Sequence, residues 1–388
     1  MKDVRRHASG IIGLALALVL SGCGSPSNAA STPTGSAASP SAAATATSAP
    51  AAAASTAPTY KVEVWNPPFD FASPRTPVDY APLAAADKPE SLCVSIPHIK
   101  DSYWLAVNYG VVSEAERLGV NVEIVEAGGY ANLKTQISQI EQCVANGAKA
   151  VVIGAISLDG LNDTVASLRK QNIPVVAFMN DISSKEITAK SLSVPGEGGL
   201  EIAKHLVGLH PKGGAPAKLV WFPGPEKAGW SAAADKKFKE TIAGGAIELL
   251  ETKYGDTGKE EQAKLIEAAL AAHPDMEYIV GTGQTAVTAI DILKERGLQD
   301  KIKVMAYYIS PEVYAGLKGG GIAAAAVAPP VTIAKIAIDQ AVRIVEGKEY
   351  QAHVGPKSYV LDASNIGTFE TESSIPPDGF KITLRVTQ

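Results

Sequence analysis

The sequence predicts an α/β fold of two doubly wound parallel-sheet lobes joined by a hinge. Three observations carry that prediction. From residue 91, short β-branched runs alternate with amphipathic helical segments, which is the pattern of βαβ units and of a parallel sheet covered by helices. The alternation restarts near residue 217, so the chain reads as two similar halves with a cleft between them. A length of 388 residues, 46% hydrophobic and 19% charged, is enough for two cores.

The N-terminus stands outside this pattern. MKDVRRHASG is basic, and IIGLALALVL is an apolar run too short to span a bilayer as a stable helix. Residues 1–22 are therefore expected to be a lipoprotein signal peptide. Leu20-Ser21-Gly22-Cys23 resembles the lipobox, in which Cys23 is acylated and becomes the new N-terminus. Each buried methylene of an acyl chain contributes about 0.8 kcal/mol, so two chains hold a protein stably at a membrane. Residues 23–59 are the lipid-anchored tether, rich in Ala, Ser, Thr and Pro. From residue 24 on, the tether has no charge, no aromatic and no large aliphatic, so it cannot bury a core. As a flexible coil it reaches about 35 Å. The folded part is expected to work in the cell envelope, in the periplasm or on the outer face of the cytoplasmic membrane.

Charge and cysteine content exclude several functions. Lys2, Arg5 and Arg6 leave with Asp3, which takes the net charge from −5 to −7. With no Lys/Arg cluster, nucleic acid is not an expected partner. Cys93 and Cys143 fall in the first predicted strand and the second predicted helix, where they either pair in an oxidising compartment or remain buried thiols. Neither has the His and acid partners of a catalytic cysteine. His205 and His210 are five apart, and no Cys-His cluster exists, so no metal and no cofactor is expected.

Residues 60–87 form an arm in which Trp65, Phe69, Phe71 and Tyr80 lie among prolines. It is either an extended segment packed on a lobe or part of a partner surface. The first strands are SLCVSI (91–96), NVEIVEA (121–127), KAVVIGA (149–155), IPVVAFM (173–179) and SLSV (191–194). Between them, Leu133, Ile137, Ile140 and Val144 recur at helical spacing. The second set is AKLVWFPG (217–224), AIELLETKY (246–254), MEYIVG (276–281), KIKVMAYY (301–308) and GIAAAAVA (321–328). The expected lobes are 88–192 with 328–352 and 193–327 with 353–388.

Ligands bind where parallel strands end. Tyr103 and Trp104 follow the first strand, and Tyr130 follows the second after Gly128 and Gly129. Asn180 and Asp181 follow the fourth. In the other half, Trp230 follows FPGPEKAG, and Tyr307 and Tyr308 end a strand. In a chain only 6% aromatic, this set predicts an aromatic-lined cleft suited to an alkylated cation or a dipolar methylated nitrogen. Gly281, Gly283 and Ala286 in GTGQTA formally match a dinucleotide fingerprint, but no acidic ribose ligand ends the next strand and no acid–base constellation accompanies it, so no enzyme is predicted.

From residue 88 to the C-terminus the chain resembles type I periplasmic binding proteins related to ribose-binding protein. LCVSIPHIKDSYWLAVNYGVVSEAERLGVNVEIVEAGGY, FPGPEKAGW, AYYISPEVYAGLKGG and VEVWNPPFD resemble the TorT family, which recognises trimethylamine N-oxide in the periplasm and works with a sensor histidine kinase. The resemblance implies that Tyr103, Trp104, Tyr130, Trp230 and Tyr308, with Asp101 of the same KDSYW motif, surround the N-oxide. Tyrosine hydroxyls or Asn180 are the candidate donors to its oxygen. Sugar-binding relatives carry an arginine, an asparagine and an aspartate where this chain has Asn180, Gly283 and Tyr308, which weakens a sugar reading because buried sugar hydroxyls need paired partners. The partner implied is a membrane sensor histidine kinase. The alternative, with the same fold, is the permease of an ABC uptake transporter.

Overall fold

The computed structural model describes residues 58–388. The signal segment, Cys23 and nearly all of the tether lie outside the described residues. The first half of the described chain supplies β1 (Tyr60–Trp65), β2 (Arg75–Tyr80), β3 (Ser91–Ile96), α1 (Ser102–Leu118), β4 (Asn121–Glu126), α2 (Leu133–Ala145), β5 (Ala150–Ile153), α3 (Asn162–Lys170), β6 (Val175–Phe178) and β7 (Ala189–Ser191). The second supplies α4 (Glu197–Leu209), β8 (Ala217–Gly224), α5 (Gly229–Ile242), β9 (Ile247–Tyr254), α6 (Lys259–Ala272), β10 (Tyr278–Gly281), α7 (Gly283–Glu295), β11 (Lys303–Ala306), α8 (Pro311–Lys318) and β12 (Ala324–Val327). The chain then returns through α9 (Pro330–Val345), β13 (His353–Gly355), β14 (Tyr359–Asp362) and β15 (Arg385–Val386).

Two sheets result. One has the order β15-β4-β3-β5-β6-β7-β13-β1-β2, the other β14-β12-β11-β10-β8-β9. Their centres are parallel, as the βαβ alternation requires, and antiparallel pairs occur only toward the edges. Central strands are buried on both faces, which explains continuous apolar runs such as AVVI and VVAF. Helix α9 crosses back from the second sheet to pack on the first. It lies so close to α1 that a Cβ on Gly110 would sit 2.7 Å from the Ala334 Cβ. In the second lobe Trp221 stacks on Phe238, ring centroids 4.0 Å apart. Cys93 on β3 and Cys143 on α2 are joined by a disulfide, with Cα atoms 5.9 Å apart.

Three boundaries expected from the sequence are corrected. His353–Gly355 and Arg385–Val386 belong to the first sheet, not the second lobe, because β13 pairs with β7 and β15 pairs with β4. These strands are only three and two residues long, too short to carry a period. The fifth strand lies at 189–191 instead of 191–194: Pro195 supplies no ladder donor and the chain is already turning, with Glu197 N–H bonded to Val194 O. The arm is a hairpin that extends the first sheet, β1 pairing with β13 and β2 with β1.

The chain passes between the sheets four times, at 192–196, at 328–329, at 356–358 and between β14 and β15, at 363–384. The first three are short and form the hinge. Residues of all three, among them Ser193, Ala328 and Ser358, face one cavity between the lobes.

Candidate ligand-binding site

Asp101 starts the site. Its backbone is extended and its carboxylate accepts the Trp104 N–H at 3.3 Å, the N-cap geometry that begins α1 directly beyond β3. The cap fixes Tyr103 and Trp104 in the first helical turn. Trp104 is 2% exposed, its ring against Gly154, where a Cβ would lie 3.0 Å away. After β4, Gly128 and Gly129 adopt positive φ (79° and 141°), a turn closed to most residues, and this turn presents Tyr130. Trp230 enters from the start of α5 and Tyr308 from the end of β11.

The rings form a closed collar. Trp104 meets Tyr103 at 5.6 Å between centroids, Tyr103 meets Tyr308 at 5.2 Å, and Tyr308 meets Trp230 at 6.2 Å. Trp230 meets Tyr130 at 5.7 Å, Tyr130 meets His98 at 5.4 Å, and His98 returns to Trp104 at 6.1 Å. Most of these pairs are edge-to-face, the arrangement the ring quadrupole prefers. Two, Tyr103 with Tyr308 and Tyr130 with Trp230, join the lobes. Outside the collar Lys100 and Asp256 pair across the cleft at 3.5 Å, and the Ser102 hydroxyl bonds Glu312. The two lobes meet around a cavity of about 240 Å³.

All seven residues singled out in the sequence, Asp101, Tyr103, Trp104, Tyr130, Asn180, Trp230 and Tyr308, line this cavity. One expected role changes. The Asn180 amide donates both hydrogens, to the Tyr130 hydroxyl at 3.1 Å and to the Ala155 carbonyl at 2.9 Å, so it has no donor left for a ligand oxygen.

Sequence reasoning missed His98, Thr257, Met179, Phe71 and Glu197. His98 lies three residues before Asp101 and could have been taken with KDSYW. Phase and spacing carry no signal for the others. Phe71 arrives from the arm, against the His353 ring at 4.8 Å, and Met179 is aimed by an unusual φ of 60°.

The electrostatics are one-sided. Burial holds His98 down to about 4, so the ring is neutral at pH 7, and burial pushes Asp101 up to about 6, so its carboxylate is still largely charged there. Burial also raises the phenols of Tyr103, Tyr130 and Tyr308, which stay protonated. Asp181 and Glu197 also line the cavity, and no lysine or arginine does. Among the described residues no His, Cys, Asp and Glu grouping could hold a metal ion. The arrangement can hold a small ligand, and its acidic lining favours positive charge.

The periplasmic binding protein domain matches residues 92–349. The chain belongs to the periplasmic binding protein family. Among the relatives of this family member is the periplasmic protein TorT of Escherichia coli (strain K12), 34% identical over 294 residues, which are 75% of this chain and 83% of TorT. A crystal structure of an ABC transporter solute binding protein from Bradyrhizobium sp. BTAi1 with bound Bis-Tris is 50% identical. It covers 84% of this chain and 98% of that one, with a TM-score of 0.74. A complex of the TorS sensor domain with TorT in the presence of TMAO matches at 29% identity and a TM-score of 0.70, covering 76% of this chain and 99% of that one.

Proposed function

We propose that this protein is an extracytoplasmic receptor for trimethylamine N-oxide or a similar small methylated amine, and that it signals to a membrane sensor histidine kinase. The closed aromatic collar contributed by both lobes is the observation that carries this reading. Each face contributes about 0.5–2 kcal/mol toward an alkylated nitrogen, so several acting together give useful affinity. For a ligand of ~5 heavy atoms the ceiling is about 7.5 kcal/mol, a dissociation constant of a few micromolar. Closure brings collar residues of both lobes together and so changes a surface that spans them, which a membrane partner can read. The similarity to TorT, solved in complex with the TorS sensor domain, supports that partner. Acylation at Cys23 would keep the receptor beside it.

A second reading has its own support. The 50%-identical relative is described as an ABC transporter solute binding protein, and the Bis-Tris bound to it is a tertiary amine bearing hydroxyalkyl arms. This reading keeps the amine site and replaces the kinase by a permease. The mature chain should be titrated calorimetrically with trimethylamine N-oxide, glycine betaine and ribose. Micromolar binding of an amine ligand without ribose binding supports the receptor reading, and ribose binding alone would sink it. Co-purification with a sensor kinase or with a permease then separates the two partners.

A further inference from the structure

The nature of the amine can be narrowed, on the assumption that the site takes an alkylamine as proposed above. Asp181 and Glu197 are balanced from behind the cavity wall, by Lys190 at 2.6 Å and Arg75 at 3.3 Å. Asp101 has no such counter-ion. Its partners are neutral, the Trp104 and Tyr103 N–H groups and Thr257, and Glu312, of the same sign, disfavours its charge. Asn180 adds an acceptor. The Ala155 carbonyl requires the NH2 group on its side, so the Asn180 carbonyl oxygen is the group left for a ligand.

A neutral N-oxide answers this inventory poorly. It carries no net positive charge to offset Asp101 and no donor for the Asn180 oxygen. An O–H or N–H donor on the ligand answers the Asn180 oxygen. Room is available too: 240 Å³ is roughly the liquid volume of eight waters, more than ~5 heavy atoms fill.

We infer that the ligand is a cationic alkylamine carrying at least one O–H or N–H donor, its charged nitrogen inside the aromatic collar beside Asp101 and its donor on the Asn180 carbonyl oxygen. The test is calorimetric titration of the mature chain with choline, tetramethylammonium, trimethylamine N-oxide and ribose. Choline is expected to bind about 10-fold or more tighter than either tetramethylammonium or the N-oxide. Asp101→Asn, which retains an N-cap side chain, should weaken choline about 10-fold or more without lowering the melting temperature of the unliganded protein. Asn180→Ala should remove the preference for choline over tetramethylammonium. Tighter binding of the N-oxide than of choline overturns the inference and leaves the alkylamine receptor standing, as does choline affinity that Asp101→Asn does not change. Binding of ribose alone overturns both.

Discussion

Asp101 and Trp104 show how one residue sets both stability and recognition. A carboxyl raised to about 6 binds its proton more tightly folded than unfolded, so its contribution to stability falls as pH rises from about 4 through 6. Asp101→Asn should therefore stabilise the unliganded protein at pH 7 by on the order of 1–3 kcal/mol and leave it nearly unchanged at pH 4. Denaturant midpoints at the two pH values read this. His98 and His353, both lowered by burial, act in the opposite sense, losing stability as pH falls below their ordinary range, so the quantity to follow is the difference between variant and wild type. Trp104→Ala should cost about 3–5 kcal/mol of stability, because the ring fills the space against Gly154, and should weaken amine binding about 10-fold or more. A folded variant with unchanged affinity would remove Trp104 from the site. The collar residues other than His98 were legible in the sequence because aromatics are scarce in this chain and yet gather at its strand exits. Asn180 was legible as a position and not as a role, since the Ala155 carbonyl that takes its amide hydrogen comes from a different strand exit.

Among the elements, the β1–β2 hairpin was the least legible. TPVDY and VEVWNPP mix prolines with alternating residues, and nothing in them names the strand they join. That strand is β13, itself only three residues long. The hairpin buries Val62, Trp65 and Tyr80, and stacks Trp65 on His353 at 4.1 Å. Deleting residues 60–85 should therefore abolish cooperative unfolding of the first lobe, which circular dichroism during a thermal scan would detect. A deletion that folds and binds an amine normally would return the arm to a purely docking role. The Cys93–Cys143 bridge links β3 to α2 across 50 residues. Chain-entropy arguments put its contribution at about 4 kcal/mol. Cys143→Ser should lower the urea midpoint accordingly, and added reductant should then make no further difference.

At the scale of the whole molecule, the two-lobed plan followed from sequence period alone, since strand–helix alternation is local. The crossings did not, because which sheet a three-residue strand joins is decided by distant partners. Ligand that binds only the closed form should stabilise the protein by about 2.7 kcal/mol at 100 times the dissociation constant, a rise of several degrees in melting temperature. The exposed Lys100–Asp256 pair contributes at most about 1 kcal/mol to closure, so Lys100→Ala should lower affinity only slightly, by less than about tenfold on titration.

The three short crossings face the cavity, so a ligand bound there would sit beside the segments about which the lobes would turn. Its contacts act on the short arm of a lever, and the outer rims of the lobes ride on the long arm. A small adjustment around a bound ligand would then become a larger displacement at the rim, where another protein could read it without touching the ligand.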